Sequence, residues 1–247
     1  MPGRTRVHRL LPALPSSGVP TTVSRQLSEA IHLGLLAPGE QLPSENDLAS
    51  QLGVSTASLR EALSVLREQG LVETRRGRRG GTFVCGPSET SAARLHRNLH
   101  QRSAIGLRDF GDEWSAVAGT SARLAAARAS SAHLENLDRL VEQLAAASAV
   151  GDRGRAHSRF FIEVALASQS ERLTRAEVRL QAETGELLWL QCDEPFSVSE
   201  SVERLTRLTA AIRNEDAAVA RDLAEAHVLR ATRWLVQTRI AAPEEST

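Results

Sequence analysis

Hydrophobic side chains between residues 59 and 66 recur at the spacing of one helical face. They stand at positions i, i+3, i+4 and i+7: Leu59, Ala62, Leu63 and Leu66. This period predicts an amphipathic helix whose apolar stripe is buried. Ser55 is a suitable N-cap for it, and Gly70 suits the position after its last turn.

Two further helices are predicted before this one. The first runs from Thr22 to about Leu36 and has four apolar side chains on one side: Val23, Leu27, Ala30 and Ile31. The second is short; it follows Pro43, takes Ser44 as its N-cap and ends at a turn that contains Gly53.

After the third helix the pattern alternates as in short β-strands. Residues 71–75 and 81–84 are the predicted strands, and residues 76–80 are the turn between them. Four arginines lie in or beside this turn: Arg75, Arg76, Arg78 and Arg79. Three helices followed by a basic hairpin are typical of a winged helix-turn-helix, which puts one helix into the major groove of DNA and the hairpin onto nearby phosphates.

From residue 94 onward the chain is rich in Ala, Leu and Arg and has a helical period. Helices are expected near residues 91–103, 107–129, 131–149, 155–168, 171–192, 198–214 and 216–240. Breaks are expected at Gly106, at Gly151 and Asp152, at residues 168–170 and at Pro195. Because hairpin turns and β-branched clusters are absent, this half is predicted to be an all-α antiparallel bundle, with room for a pocket.

The predicted fold is therefore mainly α, in two domains. The expected segments are a disordered arm (1–20), a DNA-binding domain (21–86), a linker (87–93), a helical domain (94–240) and a tail (241–247). The formal net charge of the chain is zero, but residues 1–86 have 10 Arg against 7 acidic residues, a net +3. Every positive side chain other than His is an arginine, which suits bidentate contacts to phosphate or guanine.

The sequence signals for the helix caps, the turn, the third helix and the basic hairpin occur in this order within one ungapped run: AIHLGLLAPGEQLPSENDLASQLGVSTASLREALSVLREQGLVETRRGRRGGTFV. This run, within residues 21–86, resembles the N-terminal domain of the GntR family of transcription regulators. The resemblance implies a homodimer that binds a palindromic operator in double-stranded DNA.

The resemblance also implies which residues contact DNA. Arg60 matches a DNA-contacting arginine of the FadR-like branch of the family. Asn46 and Thr56 occupy positions where relatives often have base-reading arginines, so a different operator sequence is expected. The predicted DNA-binding residues are Ser44, Glu45, Asn46, Ser55, Thr56, Ala57, Ser58, Arg60, Arg75, Arg76, Gly77, Arg78 and Arg79.

Three segments of the helical half resemble the FCD effector domain of the same branch: RLAAARAS, RAHSRFFIEVALASQSERL and AAIRNEDAAVARDLAEAH. In many FCD domains one Asp and three His hold a divalent metal that helps bind a small carboxylate. The corresponding positions here are His157, Phe161, Leu205 and His227, and two upstream positions that are usually Arg and Glu are Trp114 and Ala118. These six residues are the predicted effector pocket.

These departures change the chemistry expected of the pocket. Phe161 and Leu205 cannot donate a lone pair, so His157 and His227 are only weak candidates for metal ligands, and no cofactor is predicted. Loss of the arginine that would meet a carboxylate favours an apolar or amphipathic effector, for example acyl-like or aromatic. The alternative is a closed pocket in which both histidines are hydrogen-bonded core residues.

The predicted function is a repressor of transcription whose operator affinity a small molecule modulates. Two alternatives remain: a DNA-binding regulator or architectural protein with a non-functional effector pocket, and an enzyme that uses the helical pocket. Because the sequence has no nucleophile elbow, phosphate-binding loop or H-E-x-x-H motif, no catalytic residue is predicted.

The remaining histidine pair, the two cysteines and the absence of a long apolar run add no further site. His96 and His100 have i, i+4 spacing, but packing or solvent-facing roles are expected. Cys85 and Cys192 lack the spacing of metal ligands, and they are expected to be free thiols in a reducing cytoplasm. No apolar run is long enough to span a membrane.

Overall fold

Two units, Met1–Ser88 and Glu89–Thr247, make up the chain in the computed structural model. Each unit has its own hydrophobic core, as expected for separate domains. The structure describes residues 20–77, 80–85, 98–184, 187–189 and 197–241.

Three helices and a two-stranded antiparallel hairpin form the described part of the first unit. The helices are α1 (Pro20–His32), α2 (Glu45–Leu52) and α3 (Thr56–Glu68). The hairpin pairs β1 (Val72–Arg75) with β2 (Gly81–Val84). These elements confirm the predicted winged helix-turn-helix.

Helix α1 differs from its predicted span at both ends. It begins at Pro20, because a proline in the first turn loses no hydrogen bond within the helix. It ends at His32 rather than near Leu36, because Gly34 takes a φ of 66° and the chain turns there. The N–H of Leu35 then donates to the carbonyl of Ala30 at 2.9 Å, which closes the helix end.

The apolar stripe of α3 is buried, as its period predicts. Its four residues are at most 3% exposed. They share one core with residues from the other elements of the unit: Val23, Leu27, Ala30, Ile31, Leu48, Leu52, Leu71 and Val84. Because this face of α3 is fixed inward, polar residues on its opposite face point to solvent.

Six long helices and one 3₁₀ turn form the described part of the second unit. They are α4 (Ala104–Arg128), α5 (Ser131–Ala146), α6 (Val150–Ala167), α7 (Glu171–Thr184), the turn Leu187–Trp189, α8 (Val198–Arg213) and α9 (Ala217–Ala241). The described residues of this unit contain no β-strand. The prediction of an all-helical bundle is therefore confirmed.

Two segments that were predicted to be breaks lie inside helices. The hydroxyl of Ser103 accepts a hydrogen bond from the N–H of Gly106 at 3.0 Å, so Gly106 belongs to the capped first turn of α4. Gly151 and Asp152 belong to the first turn of α6, where a carboxylate interacts favourably with the helix dipole. Both helices begin earlier than predicted because capping and charge outweigh the low helix propensity of glycine.

Two predicted helices are shorter in the structure. Helix α5 ends at Ala146 rather than at residue 149, and α7 ends at Thr184 rather than at residue 192. After α7 the buried side chains of the turn Leu187–Trp189 enter the core, and a helical period does not distinguish such a turn from a longer helix. Of the helix predicted at residues 91–103, residues 98–100 are helical, and residues 91–97 lie outside the described part.

Helices α4 and α9 pack closely because glycines face the contact. A methyl group at Gly111 would overlap the side chain of Thr232, and one at Gly119 would overlap the side chain of Glu225. Trp114 of the same helix α4 is completely buried, with its ring against His157 and Phe161 of α6. This burial positions one of the predicted effector residues.

Candidate functional site

The first turns of α2 and α3 are capped in the same way. The hydroxyl of Ser55 accepts a hydrogen bond from the N–H of Ser58 at 3.1 Å, and that of Ser44 accepts one from the N–H of Asp47 at 3.2 Å. Both caps were predicted as N-caps from the sequence. They fix two helix starts on the surface, where free N–H groups and the helix dipole attract anions such as phosphate.

Arg60 lies on the outer face of α3 and is paired with Glu45 in the first turn of α2. Its Nε donates to Oε2 of Glu45 at 2.6 Å, and the two side chains are 67% and 43% exposed. Such an exposed ion pair adds little to stability. It does, however, hold the guanidinium beside the start of α2, and the N–H groups on its two Nη atoms take no part in this bond.

The other predicted residues of the two helices also reach the surface. Asn46, Ser55 and Ala57 are exposed, and Thr56 and Ser58 are half-buried. Together with Arg60 they form a polar surface at the start of α3, on the side away from the core.

The hairpin holds Arg75 in a defined position. Its guanidinium lies 4.3 Å from the ring centroid of Phe83 and 2.6 Å from the carboxylate of Glu73. Arg76 and Gly77 follow at the exposed tip, and Gly77 takes a φ of 114°, which favours glycine. Arg78 and Arg79 lie outside the described residues.

Gln41 braces the hairpin, a role that was not predicted from the sequence. Its Nε2 donates to the carbonyl of Gly80 at 3.1 Å, and its backbone forms a bridge with Phe83. The neighbouring N–H of Leu42 donates to the carbonyl of Thr82 at 2.9 Å. No local signal marks this role, because the contact joins residues 39 positions apart.

His157 of α6 and His227 of α9 meet in the core of the second unit. Their Nε2 atoms are 2.8 Å apart, and their rings are stacked with centroids 5.0 Å apart. Each ring is at most 1% exposed. A direct bond between two Nε2 atoms requires one to donate and the other to accept, so at least one imidazole is neutral and the two rings are different tautomers when both are neutral.

Both histidines are held in the neutral form. Burial is the main cause that lowers the pKa of His227 to about 3, with the charges of Arg204 and Arg230 adding to it. Burial also holds the pKa of His157 well below its usual value, and the nearby His227 lowers it further.

Aromatic side chains surround the histidine pair. The ring of Phe161 lies 5.2 Å from each imidazole, and the ring of Trp114 lies 5.4 Å from that of Phe161. The ring of Trp189, which was not among the predicted pocket residues, lies 5.7 Å from the ring of His157. The remaining predicted pocket residues, Ala118 and Leu205, are buried in the same core.

The distance within the histidine pair does not fit a shared metal ion. Two imidazole nitrogens that bind one tetrahedral zinc at about 2.05 Å are about 3.3 Å apart. The observed 2.8 Å between His157 and His227 is a hydrogen bond instead. Among the described residues, no group of three or more His, Cys, Asp or Glu side chains is arranged to hold a metal.

Glu177 of α7 is a buried acid that was not predicted to be a site residue. Its Oε1 accepts hydrogen bonds from Nε1 of Trp114 at 2.9 Å and from Nε2 of Gln181 at 2.8 Å. Burial raises the pKa of Glu177 to about 7, and these two hydrogen bonds partly oppose that rise. A carboxyl group whose charge changes near neutral pH thus touches a residue of the predicted pocket.

The helical unit also has a surface groove of about 410 Å³ between α4 and α9. Its lining includes Arg108, Asp112, Leu229, Arg233 and Ile240. None of the six predicted pocket residues lines it.

Four cysteine and histidine residues remain as minor candidates. Cys85 is an exposed free thiol, and His100 is half-buried. Cys192 and His96 lie outside the described residues. Within the described ranges, no helix is long and apolar enough to cross a membrane.

Two family models match the chain. The model of bacterial regulatory proteins of the gntR family matches residues 21–84, and the FCD domain model matches residues 115–230. The first match covers the capped helices and the hairpin. The second includes the histidine pair, Phe161, Trp189 and Glu177, and it begins one residue after Trp114.

Individual relatives and one solved structure agree with these matches. RmpR of Mycobacterium gastri, whose name describes an HTH-type transcriptional regulator, is 40% identical over 245 residues, 97% of this chain and 87% of that protein. The Glc operon transcriptional activator of Escherichia coli K12 is 34% identical over 126 residues, 51% of this chain and 49% of that protein. The solved structure of E. coli McbR/YncC matches with a TM-score of 0.51 at 19% identity, covering 90% of this chain and 98% of that one, and indicates the fold alone.

Proposed function

The chain is a transcription regulator of the GntR family that contains an FCD domain, and on this premise we propose that it is a repressor that binds a palindromic operator with an affinity set by a small molecule. The observation that supports DNA binding most directly is the position of Arg60. It stands on the solvent side of α3, whose other side is buried, at the end that a recognition helix presents to bases.

Within this proposal, the residues of the first unit divide into two roles. Arg60 contacts a guanine or a phosphate, and Ala57 contacts a thymine methyl group. The hydroxyls of Ser55 and Ser58 bind phosphates, as does the basic hairpin with Arg75 and Arg76. Base contacts select the sequence, whereas phosphate contacts supply affinity for any duplex.

Selection from a random duplex library tests this proposal. The purified protein, at an ionic strength of about 0.15 M, is expected to enrich one sequence made of two inverted half-sites. Recovery of random sequences alone, with no duplex preferred over competitor DNA, contradicts specific operator binding.

We further propose that the effector site is free of metal and accepts an apolar or amphipathic molecule. The hydrogen bond between His157 and His227, and the replacement of two ligand positions by Phe161 and Leu205, support a pocket without a metal. Elemental analysis of the purified protein is expected to find no stoichiometric divalent metal. A stoichiometric metal that disappears in His227→Ala contradicts this part of the proposal.

Effector binding would act by changing the equilibrium between two arrangements of the helices in the dimer. A reporter driven by the operator is expected to rise when the gene is deleted, as repression requires. The Glc operon relative is named an activator. A fall in reporter expression on deletion would show that this chain also activates transcription, which contradicts the proposed repression.

A regulator or architectural protein without an effector is the second candidate. It is favoured by the complete burial of His157, Phe161 and His227 and by the hydrogen bond that links the two imidazoles. In that case a specific operator is bound, but no small molecule alters its affinity. The relatives are regulators of transcription, and no enzymatic activity is proposed.

A further inference from the structure

Two acceptor oxygens on the inner side of α7 meet no hydrogen-bond donor among the described residues. They are Oε2 of Glu177 and Oε1 of Gln181. The two side chains are only 0% and 2% exposed. Because buried polar atoms in native proteins are nearly always hydrogen-bonded, donors from outside the chain are expected at both oxygens.

The orientation of the two side chains is already fixed by their other atoms. Trp114 and Gln181 both donate to Oε1 of Glu177, which leaves Oε2 of Glu177 and Oε1 of Gln181 as the unused acceptors. Residues 177 and 181 are one helical turn apart, so these oxygens lie on the same side of α7. Two acceptors on one side of a helix can be satisfied by one chemical group with two N–H donors.

Trp114 connects these acceptors to the aromatic cluster. Its indole N–H bonds to Glu177, while its ring lies 5.4 Å from that of Phe161 and 6.2 Å from that of His157. A group bound at the two acceptors would therefore have aromatic surface beside it. The pKa of about 7 at Glu177 means that the carboxylate, which attracts a cation, forms near neutral pH.

Resting on the effector function proposed above, we infer that Glu177 and Gln181 form the polar end of the ligand site and select a molecule whose polar group is a cation or other N–H donor on an apolar body. An amidinium or an amine satisfies both oxygens. A carboxylate does the reverse, because it sets further acceptors against two acceptors in a buried site, which is unfavourable.

Three probes with the same aromatic body test this selectivity: benzamidine, benzamide and benzoate. Thermal shift and titration calorimetry of the full chain, at pH 8 where Glu177 is ionised, measure binding of each. We expect benzamidine to bind most tightly, benzamide less tightly and benzoate not at all. Glu177→Gln should weaken benzamidine at least tenfold while changing benzamide less than threefold, and Glu183→Gln, an exposed position of the same helix, should change neither.

Several outcomes overturn the inference. If benzoate binds as tightly as benzamidine, the proposed selectivity for N–H donors is wrong. If Glu177→Gln binds benzamidine as tightly as the parent chain, Glu177 is not part of the ligand site. No binding of any probe at millimolar concentration means that water alone satisfies the two oxygens. Operator affinity is measured in parallel: benzamidine that binds without altering it supports the site but contradicts the ligand-controlled switch.

Discussion

Arg60 projects from α3 with its guanidinium bonded to an exposed carboxylate rather than to the core. Arg60→Ala therefore removes the proposed DNA contact without leaving a cavity, and specific operator affinity should fall by about 1–3 kcal/mol. Fluorescence anisotropy with the selected operator measures the loss. Arg25→Ala, an exposed arginine of α1 paired with Glu29, is the control. Equal operator affinity in the Arg60 variant and the control would remove Arg60 from the interface.

Glu177 makes stability depend on pH in a direction that is unusual for an acid. Between pH 4.5 and 7 the unfolded chain has lost this proton and the folded protein keeps it, so the free energy of unfolding falls as the pH rises. Glu177→Gln should gain stability over the parent chain across this window, by up to about 3 kcal/mol. Denaturation midpoints at pH 4.5, 6 and 8 measure the gain, with Glu183→Gln as the control for loss of an acidic side chain from α7. A difference that is constant with pH would contradict the burial assigned to Glu177.

The hairpin is the element proposed to supply affinity for DNA without sequence preference. Arg75→Ala combined with Arg76→Ala should weaken binding to every duplex. The slope of the log of the binding constant against log salt should become less steep by about 1–2, because fewer phosphate contacts release fewer counterions from the DNA on binding. Binding titrations between 50 and 200 mM salt measure the slope, in the range where the effect is large. Arg123→Ala with Arg172→Ala, both exposed in the helical unit, is the control. If affinity falls for the operator but not for other duplexes, the hairpin arginines recognise bases instead.

The α4–α9 contact depends on the absence of a side chain at Gly111. Gly111→Ala forces a methyl group into the buried side chain of Thr232, so the protein should lose about 1–3 kcal/mol of stability. Gly151→Ala is the control, because its methyl group meets only the mobile end of Arg155, and it should be neutral or stabilising by up to about 1 kcal/mol. Equal unfolding midpoints for the two variants would show that α9 moves aside at no cost.

Local patterns predicted the first unit well because its signals lie within one or two turns of each other. The caps at Ser44 and Ser55 and the stripe of α3 are of this kind. The aromatic cluster was only partly predicted, and through family resemblance rather than spacing. His157 and His227 are 70 residues apart, and Trp114 and Glu177 are 63 residues apart. Such contacts depend on how the helices pack against each other, and the hydrophobic period of one helix does not predict which residues of another helix it meets.

At the scale of the whole molecule, the two units of the chain have opposite charge. The +3 of residues 1–86 is balanced by −3 in residues 87–247, which hold 20 Arg and 23 acidic residues. The excess of positive charge in residues 1–86 comes from Arg4, Arg6 and Arg9, because residues 20–86 hold 7 Arg and 7 acidic residues. The net charge of the helical unit does not add to the attraction for DNA. This division suits a protein whose second unit binds something other than nucleic acid.

In the proposed symmetric dimer, the two recognition helices must lie on one face of the duplex. Inserting about 5 base pairs between the half-sites turns one of them to the opposite face. Operator affinity should then fall to that of a duplex with a single half-site, because only one α3 can reach its bases. Titration of the native, inserted and single-site duplexes measures this, and a scrambled flank of equal length is the control. Equal affinity for the native and inserted duplexes would mean that each chain binds on its own.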